Sequence, residues 1–503
     1  MSGRQSRSLR VSPLPMFWLT AASITLSRYK FTVVSPRILA AARHCVASMV
    51  ISFACLAVLS LVLALPSEAQ LPPLTYNAIS NRTVYPYPPL PSLGSAGYQF
   101  IDPVFGSRML RVTDANTRPD FVGRFWASPS SAETSAWNIS STKFYVVGGG
   151  GETVPYNFDP VTMTPSRMGN VGNGSGGLVL PYPEPAFSFV DPDLLYAGNG
   201  SSLVSYRFST GIETALHDVH SCRPGIATRE GGLVGVSVSK DDQRVAAYIG
   251  GTVQDADTTV YVYDKTLGCR WLDVQTGMVG GAWGPIGPYT GDRSFLIHNS
   301  RLAKSGQFVR ITTSTTGNAG VYLWDVATLN LLACPENEAP NYCGGHQVTG
   351  FTQLINQRQF GDGMDFAIRP MSSPRSSTPF RGLVDPLLTP GQWVGDTHPS
   401  WNNVQADEKQ PVCLEQYRPD NLVQRAWDGE IICMQTDGVA STVWRFAHHR
   451  TQMPPGGSFW DQPRANVSQD GRFVLFTSNW EQTLGTGPDG LRQDAFIVQL
   501  AAP

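Results

Sequence analysis

The sequence of 503 residues has little charge and no marked excess of either sign. Charged residues make up 15% of the chain, and the formal net charge is −2. Proteins that hold nucleic acid through its phosphates need a basic surface, so this composition predicts no nucleic-acid partner. A long amphipathic helical period is also lacking, whereas the chain contains 49 glycines and 38 prolines. All-β domains of many short strands have this composition.

Motifs of catalysis and cofactor binding are absent or lack their structural context. The sequence contains no HExxH zinc motif, no nucleophile elbow and no CxxC pair. The GNGSGG run (172–177) fits a phosphate-binding pattern, but LVLPYPEP follows it and predicts no helix that would present a phosphate site. The sequence therefore names no reaction.

The first 67 residues contain seven Arg or Lys and no acidic residue. An apolar run, VASMVISFACLAVLSLVLAL (46–65), follows the basic part and ends at PSEAQ, where Ser67 and Ala69 form a small-residue cleavage site. We expect residues 1–69 to be a basic leader and signal peptide. The mature chain then starts at Gln70, has no membrane span and is exported to the periplasm or the cell exterior. The alternative is an uncleaved membrane anchor at 46–65.

A repeating unit governs the rest of the sequence. Each unit has a special residue, a short apolar or small stretch, a Ser/Asn/Asp turn and a second apolar run, as in PRANVSQDGRFVLFT. Units follow one another at roughly 50 to 65 residues, a period typical of repeat architectures. They begin at Ser135, Pro185, Gly235, His298, His346, His398 and Pro463.

Strand-like units at this period predict an all-β, seven-bladed β-propeller of four-stranded antiparallel blades. We place the propeller at 98–503, after a Pro-rich extended linker at 70–97. SRMLRVTD (107–114) alternates as a strand does and is expected to close the ring in a blade shared with DAFIVQL (494–500). The fifth unit lacks the Asp-Gly turn and is the weakest match.

Six cysteines lie beyond the leader, an even number that suggests disulfides in an exported chain. The predicted pairs follow from their positions in the repeat, because two flank one unit, two bound a short loop and two lie on strands of one blade. These pairs are Cys222–Cys269, Cys334–Cys343 and Cys413–Cys433.

Three histidines, His298, His346 and His398, occupy the same position in consecutive units. Residues at the same position of the repeat lie at the same distance from the propeller axis and at the same level along it. All three histidines are therefore expected at one mouth of the central channel. Three imidazoles there would hold a divalent metal, or would serve as a base and as ligands of an anionic sugar. The alternative is that each histidine only bonds the loop before its strand.

Charged and aromatic residues accompany these histidines. Arg301 is a candidate contact for a carboxylate, and Trp401 for a sugar face, although Trp401 also aligns with core positions. Asp396 precedes His398 and is expected to orient its imidazole. The pair His448-His449 is expected to be solvated.

VSQDGRFVLFTSN, followed by RQDAFIVQL, resembles the TolB-type propeller repeat of exported bacterial proteins. The resemblance implies a β-propeller outside the cytoplasm, a scaffold that serves unrelated functions. GGHQVTG and DTHPSW suggest a weaker similarity to oligogalacturonate-lyase-like propellers, which bind a metal through channel histidines. Two functions follow: a non-catalytic scaffold that binds a protein or carbohydrate ligand on one face, or a metal-assisted lyase acting on acidic polysaccharide.

Overall fold

The structure of the chain is a computed structural model in which seven antiparallel sheets form the blades of a β-propeller. No helix among the described residues is long and apolar enough to cross a membrane. The leader lies outside the described residues, so its predicted roles stay predictions. The described residues are 70–118, 123–169, 177–226, 232–251, 256–293, 295–317, 320–334, 343, 345–360, 363–374, 381–382, 395–437, 442–455, 457 and 459–501.

Two strands precede the first blade, and three blades follow in chain order. The two early strands are β1 (Gln99–Ile101) and β2 (Arg108–Arg111). Blade 1 comprises β3 (Trp126–Ala127), β4 (Lys143–Gly148), β5 (Thr153–Asp159) and β6 (Thr164–Arg167). Blade 2 comprises β7 (Ala186–Phe187), β8 (Leu194–Asn199), β9 (Ser202–Arg207) and β10 (Ile212–Asp218), followed by the short helix α1 (Val219–Cys222). Blade 3 has six strands, β11 (Val234–Val238), β12 (Arg244–Ile249), β13 (Thr259–Asp264), β14 (Gly268–Asp273), β15 (Met278–Gly281) and β16 (Gly287–Pro288).

Four more blades complete the ring. Blade 4 comprises β17 (Phe295–Leu302), β18 (Phe308–Gly317), β19 (Val321–Asp325) and β20 (Leu331–Cys334). Blade 5 comprises β21 (Gln347–Thr349), β22 (Gln353–Phe360), β23 (Gly363–Pro370) and β24 (Arg381–Gly382). Blade 6 comprises β25 (Asp396–Thr397), β26 (Val412–Tyr417), β27 (Glu430–Met434) and β28 (Val443–His448). A 3₁₀ turn (Phe459–Asp461) leads into blade 7, which contains β29 (Asn466–Val467), β30 (Phe473–Ser478) and, after the small hairpin of β31 (Thr486–Gly487) and β32 (Gly490–Leu491), β33 (Asp494–Gln499).

Blade 7 closes the ring as the sequence predicts. β2 pairs antiparallel with β33, with Leu110 opposite Ile497, and β1 adds a fifth strand outside β2. The two ends of the propeller are therefore joined by backbone hydrogen bonds within one sheet. Ring closure lets every blade bury both of its faces, which a single isolated blade could not do.

The predicted starts of the first strands agree with the structure for six of the seven units. Strand β21 begins one residue after His346, so the weak fifth unit was correctly identified. Ser135 is the exception, because the first strand of blade 1 is β3 (Trp126–Ala127) and residues 128–135 form a loop before Trp137 pairs with Phe144. This loop, called the plug below, changes the interior of the ring.

The plug lies among blades on different sides of the central channel. The carbonyl oxygen of Thr134 accepts a hydrogen bond from the side-chain amide of Asn402, between β25 and β26 of blade 6, at 3.0 Å. It also accepts a hydrogen bond from the side-chain amide of Asn466, in blade 7, at 2.6 Å. Glu133 Oε2 accepts the backbone N–H of Thr349, in blade 5, at 2.9 Å. Because these partners converge from three blades, the plug occupies the channel and ties the inner strands together.

The three predicted disulfides are present. Cys222 at the end of α1 is bonded to Cys269 on β14, and Cys334 is bonded to Cys343, nine positions later in the sequence. The third bond joins Cys413 and Cys433, which face each other on β26 and β27 with Cα atoms 3.9 Å apart. Disulfides of this number are characteristic of oxidising compartments.

The Pro-rich segment 70–97, expected to be an extended linker, contacts blades 6 and 7. Ile79 pairs with Arg445 as an isolated bridge to β28. Tyr76 donates its hydroxyl to the carbonyl oxygen of Gly471, and Trp480 Nε1 donates to Pro91 O at 2.9 Å. The carbonyl groups of Ile79 and Pro91 are therefore hydrogen-bonded to the propeller, and the segment belongs to the same compact unit as the blades.

We predict that the plug contributes measurably to stability. Asn466→Ala removes a donor to the carbonyl oxygens of Ala132 and Thr134, and although Thr134 keeps the amide of Asn402, the carbonyl oxygen of Ala132 loses the bond from Asn466. The free energy of unfolding, measured by urea denaturation, is expected to fall by about 1–3 kcal/mol, the cost of buried unpaired polar groups. As a matched control, Asn330→Ala at an exposed loop should change it by less than about 0.5 kcal/mol. Equal effects of the two substitutions would contradict a structural role of the plug.

Candidate functional site

A cavity of ≈ 990 Å³ lies where the first strands of the blades converge. Residues from or next to all seven blades line it, which places it on the propeller axis. The plug residues Ser130 to Glu133 form part of its wall. The polar side chains used below come from blades 4 to 6: His298, Arg301, Arg310, His346, Gln347 and His398.

All three phase-matched histidines line this cavity, as their positions in the repeat predict. The rings of His346 and His398 lie side by side, with centroids 4.5 Å apart. His298 is exposed on β17 and contributes to the same wall. The described residues contain no group of three His, Cys, Asp or Glu side chains arranged to hold a metal ion. His346 and His398 therefore form a pair, and His298 lies on the same wall of the cavity.

A separate carboxylate orients each histidine of the pair. His346 Nδ1 lies 3.0 Å from Asp396 Oδ1, and His398 Nδ1 contacts Glu415 Oε1. Asp396 was expected to orient His398, but it bonds His346 instead, because Glu415 on the neighbouring strand β26 reaches His398. Tyr417 donates its hydroxyl to Asp396 Oδ2 at 3.2 Å and stacks on His398. Each Nδ1 is thus fixed and the other ring nitrogen is left for a ligand.

The two carboxylate partners give the histidine pair distinct electrostatic properties. Burial lowers the pKa of His346, but the charge and hydrogen bond of Asp396 outweigh this effect and raise it above its ordinary value. The same interaction holds the pKa of Asp396 well below its usual range, although burial alone would raise it. His398 Nε2 is buried without a hydrogen-bond partner in the described part of the chain. His398 Nε2 can therefore form a hydrogen bond that no described residue provides.

Two arginines on adjacent strands of blade 4 differ in their partners. Arg310, on β18, forms an ion pair with Glu133 of the plug at 2.7 Å and donates to Asn299 Oδ1 at 2.8 Å. Arg301, on β17, is only 4% exposed, and no described carboxylate forms an ion pair with it. Arg301 donates to Thr134 Oγ1 at 3.2 Å, while its Nε has no partner among the described residues. Arg301 is therefore a buried cation whose charge is not neutralised by a paired carboxylate.

A glycine makes room for this arginine. Gly235 on β11 has φ +63°, and a Cβ built on it would lie 2.8 Å from Arg301 Nη1 and 2.1 Å from Tyr248 Cε1. A side chain here would meet both residues and would also strain the backbone. The position of Arg301 thus depends on a glycine in the neighbouring blade.

An aromatic pair forms another part of the wall. Phe459 and Trp460 belong to the 3₁₀ turn before blade 7, and Phe459 is 46% exposed. The buried guanidinium of Arg464 lies under both rings, at 4.8 and 4.7 Å from their centroids. It also donates to the carbonyl oxygen of Phe459 at 2.9 Å. Arg464 therefore holds this turn against the ring and presents an apolar face to the cavity.

Two other expectations from the sequence differ from the structure. Trp401 is fully buried in the core between blades 5 and 6, where its Nε1 donates to Gln410 O at 2.8 Å, so it is a core residue and not a contact for a ligand in the cavity. His448 and His449 are buried, not solvated. His448 Nε2 lies 3.0 Å from Tyr85 O of the Pro-rich segment, and burial lowers the pKa of His448 to about 3.

Sequence reasoning missed the plug, Glu415 and the aromatic turn. The run SPSSAETS (128–135) has the small polar composition of a loop, which was a usable signal for the plug. Glu415 gave no such signal, because it lies 17 positions after His398, in the strand β26, whose residues are all buried. Phe459 and Trp460 lie in a loop that the repeat does not constrain.

Similarity to known proteins is found among solved structures. No protein-family model matches the chain, and no curated protein sequence is significantly similar to it. An oligogalacturonate lyase from Vibrio parahaemolyticus gives a TM-score of 0.45 at 10% identity, over 80% of this chain and 96% of that chain. TolB from Acinetobacter baumannii gives 0.31 at 10% identity, over 69% and 76%. The WD40 repeats of RRP9 give 0.36 at 10% identity, over 75% and 94%. The sheet topology shows a seven-bladed β-propeller, and the solved structures similar to the chain include proteins of varied function.

Proposed function

We propose that this protein is an exported scaffold that binds an acidic carbohydrate in the axial cavity. The observation that carries the proposal is Arg301, a buried guanidinium without a carboxylate partner in the described chain. An uncompensated buried charge is costly, and a carboxylate on a ligand would offset that cost with charge-assisted hydrogen bonds. Three disulfides support export, because such bonds persist in oxidising compartments.

The remaining wall supports a sugar as the bearer of the carboxylate. Phe459 and Trp460 offer an apolar aromatic surface against which the less polar face of a sugar ring can pack. His346 and His398 offer ring nitrogens for hydroxyl groups. A cavity of ≈ 990 Å³ has the size of pockets that hold small ligands. The site therefore combines an arginine without a carboxylate partner in the described chain, polar groups and an aromatic surface.

We predict that Arg301 is required for affinity. Wild type should bind a uronic-acid trisaccharide more tightly than a neutral trisaccharide of the same linkage in isothermal titration calorimetry. Arg301→Gln should weaken binding of the acidic trisaccharide by about 10- to 100-fold, the effect of losing a charge-assisted hydrogen bond of about 1.5–3 kcal/mol. Arg207→Gln, which removes an exposed arginine of blade 2, is the control and should leave affinity unchanged. Equal affinity for acidic and neutral trisaccharides would refute the proposed ligand class.

Affinity for the acidic trisaccharide should also depend on pH through His346. Its raised pKa keeps it protonated below that value, where its charge favours an anion, and this contribution is lost as pH rises through the raised pKa. Asp396→Asn removes the charge that raises this pKa, so burial then lowers it and the loss of affinity should move to lower pH. The measurement is the dissociation constant against pH for both proteins. An unchanged profile in the variant would exclude His346 as the titrating group.

The alternative is a metal-assisted carbohydrate-active enzyme, an acidic polysaccharide lyase. The observation in its favour is the pair of imidazoles, each fixed through Nδ1 by a carboxylate, as metal-ligating histidines often are. Against it, the described residues provide no three-ligand group. We assign no catalytic step to a metal.

Metal analysis separates the two functions. If the alternative holds, purified protein should retain about one equivalent of a divalent metal after dialysis. The His346→Ala/His398→Ala variant should then lose it while keeping a wild-type circular dichroism spectrum. The scaffold function predicts no retained metal in either protein. Retention by both proteins would place the metal away from the histidine pair.

A further inference from the structure

A second cavity, of ≈ 360 Å³, lies between the Pro-rich segment and blade 7. It is independent of the axial cavity and shares no lining residue with it. Ser92 of the Pro-rich segment is exposed, so the cavity communicates with solvent on that side. The residues that matter for its chemistry are Ser92, Arg111, Trp480, Thr483 and Arg492.

Two guanidinium groups in this cavity share a single carboxylate. Arg111, on β2, donates through Nε to Asp494 Oδ2 at 3.0 Å. Arg492, just before β33, donates through Nη2 to Asp494 Oδ1 at 2.9 Å. All three residues are less than 10% exposed. Among the described residues, one negative charge therefore faces two positive charges, and one positive charge has no carboxylate to balance it at the cavity.

The hydrogen bonds of the other nitrogen atoms of the two arginines are consistent with this excess of positive charge. Arg111 Nη1 donates to Gly94 O at 2.7 Å, and Arg492 Nη1 donates to Leu484 O at 2.8 Å. These carbonyl groups satisfy hydrogen bonds but carry no net charge. Arg492 Nε is buried without a hydrogen-bond partner in the described residues. Glu481, another acidic residue of this region, pairs with Arg450 instead.

We propose that this cavity is a binding site for a small oxyanion, either a carboxylate or an inorganic phosphate or sulfate. Such an anion would neutralise the excess charge that Arg111 and Arg492 leave beside Asp494, which stabilises buried guanidinium groups. The hydroxyl groups of Ser92 and Thr483 on the wall provide further polar contacts. The size of the cavity leaves room for water around a single anion.

Binding there would fasten the Pro-rich segment to the propeller. The same segment already accepts hydrogen bonds from Trp480 Nε1, at Pro91 O, and from Arg111 Nη1, at Gly94 O. An anion bound between these residues and Arg492 would contact both the Pro-rich segment and blade 7. The expected consequence is a rise in thermal stability that saturates with anion concentration, because a ligand that binds the folded state stabilises it.

The test is thermal unfolding of the full chain in sodium phosphate, sulfate or acetate, with sodium chloride of equal ionic strength as the reference. Wild type should show a saturable rise in Tm over chloride. A rise in phosphate and sulfate alone identifies an inorganic oxyanion, whereas a rise in acetate identifies a carboxylate. Arg492→Gln should weaken the apparent anion affinity at least tenfold. Arg207→Gln, which removes an arginine that lines neither cavity, should retain the full response. The readout is the change that Arg492→Gln causes, so failure here is distinct from failure of trisaccharide binding in the axial cavity.

A second variant covers the case in which Arg492→Gln unfolds. Ser92→Asp keeps both arginines and places a carboxylate at the edge of the cavity, where it supplies the missing negative charge. It should raise Tm in chloride and remove the response to added anions. Absence of any saturable response in wild type, or an unchanged response in both variants, would overturn the proposal.

Discussion

The interior of this propeller depends on one backbone carbonyl, that of Thr134 in the plug. It accepts side-chain amides from Asn402 and Asn466, which belong to the sixth and seventh repeats. A loop inside a channel would otherwise bury carbonyl groups that have no hydrogen-bond donor, at a cost of about 1–3 kcal/mol each. By satisfying them, the neighbouring blades keep the plug ordered, and the plug in turn positions Glu133 and the hydroxyl of Thr134 beside the arginines of blade 4.

The distribution of charge around the plug explains why only one of the two arginines is available to a ligand. Glu133 neutralises Arg310 and simultaneously accepts the backbone N–H of Thr349, so its carboxylate is fully used. Among the described residues, Arg301 donates hydrogen bonds to neutral oxygen atoms. The selectivity that we propose therefore originates in the composition of an eight-residue loop as much as in the blades.

The sequence predicted the ring well and the site in part, and the difference has a physical basis. Repetition places His298, His346 and His398 on one wall because equal phase means equal radius, and it needs no knowledge of side-chain contacts. Hydrogen-bond partners follow different rules. Asp396 was matched to the histidine nearest in sequence, but in a strand pair the carboxylate that reaches His398 is Glu415 on the adjacent strand, 17 positions away. Register across strands is not visible in local sequence.

The two cavities illustrate one general consequence of building a ring from one chain. Closure requires β2 to lie against β33, and this brings Arg111 next to Asp494, which already pairs with Arg492. The axial cavity likewise holds Arg301, with which no carboxylate of the described residues forms an ion pair. In both places, elements distant in sequence leave a buried guanidinium without a carboxylate of its own among the described residues. Because the sheet register fixes these residues, an anion from solution is the neutralising partner that we propose at each site.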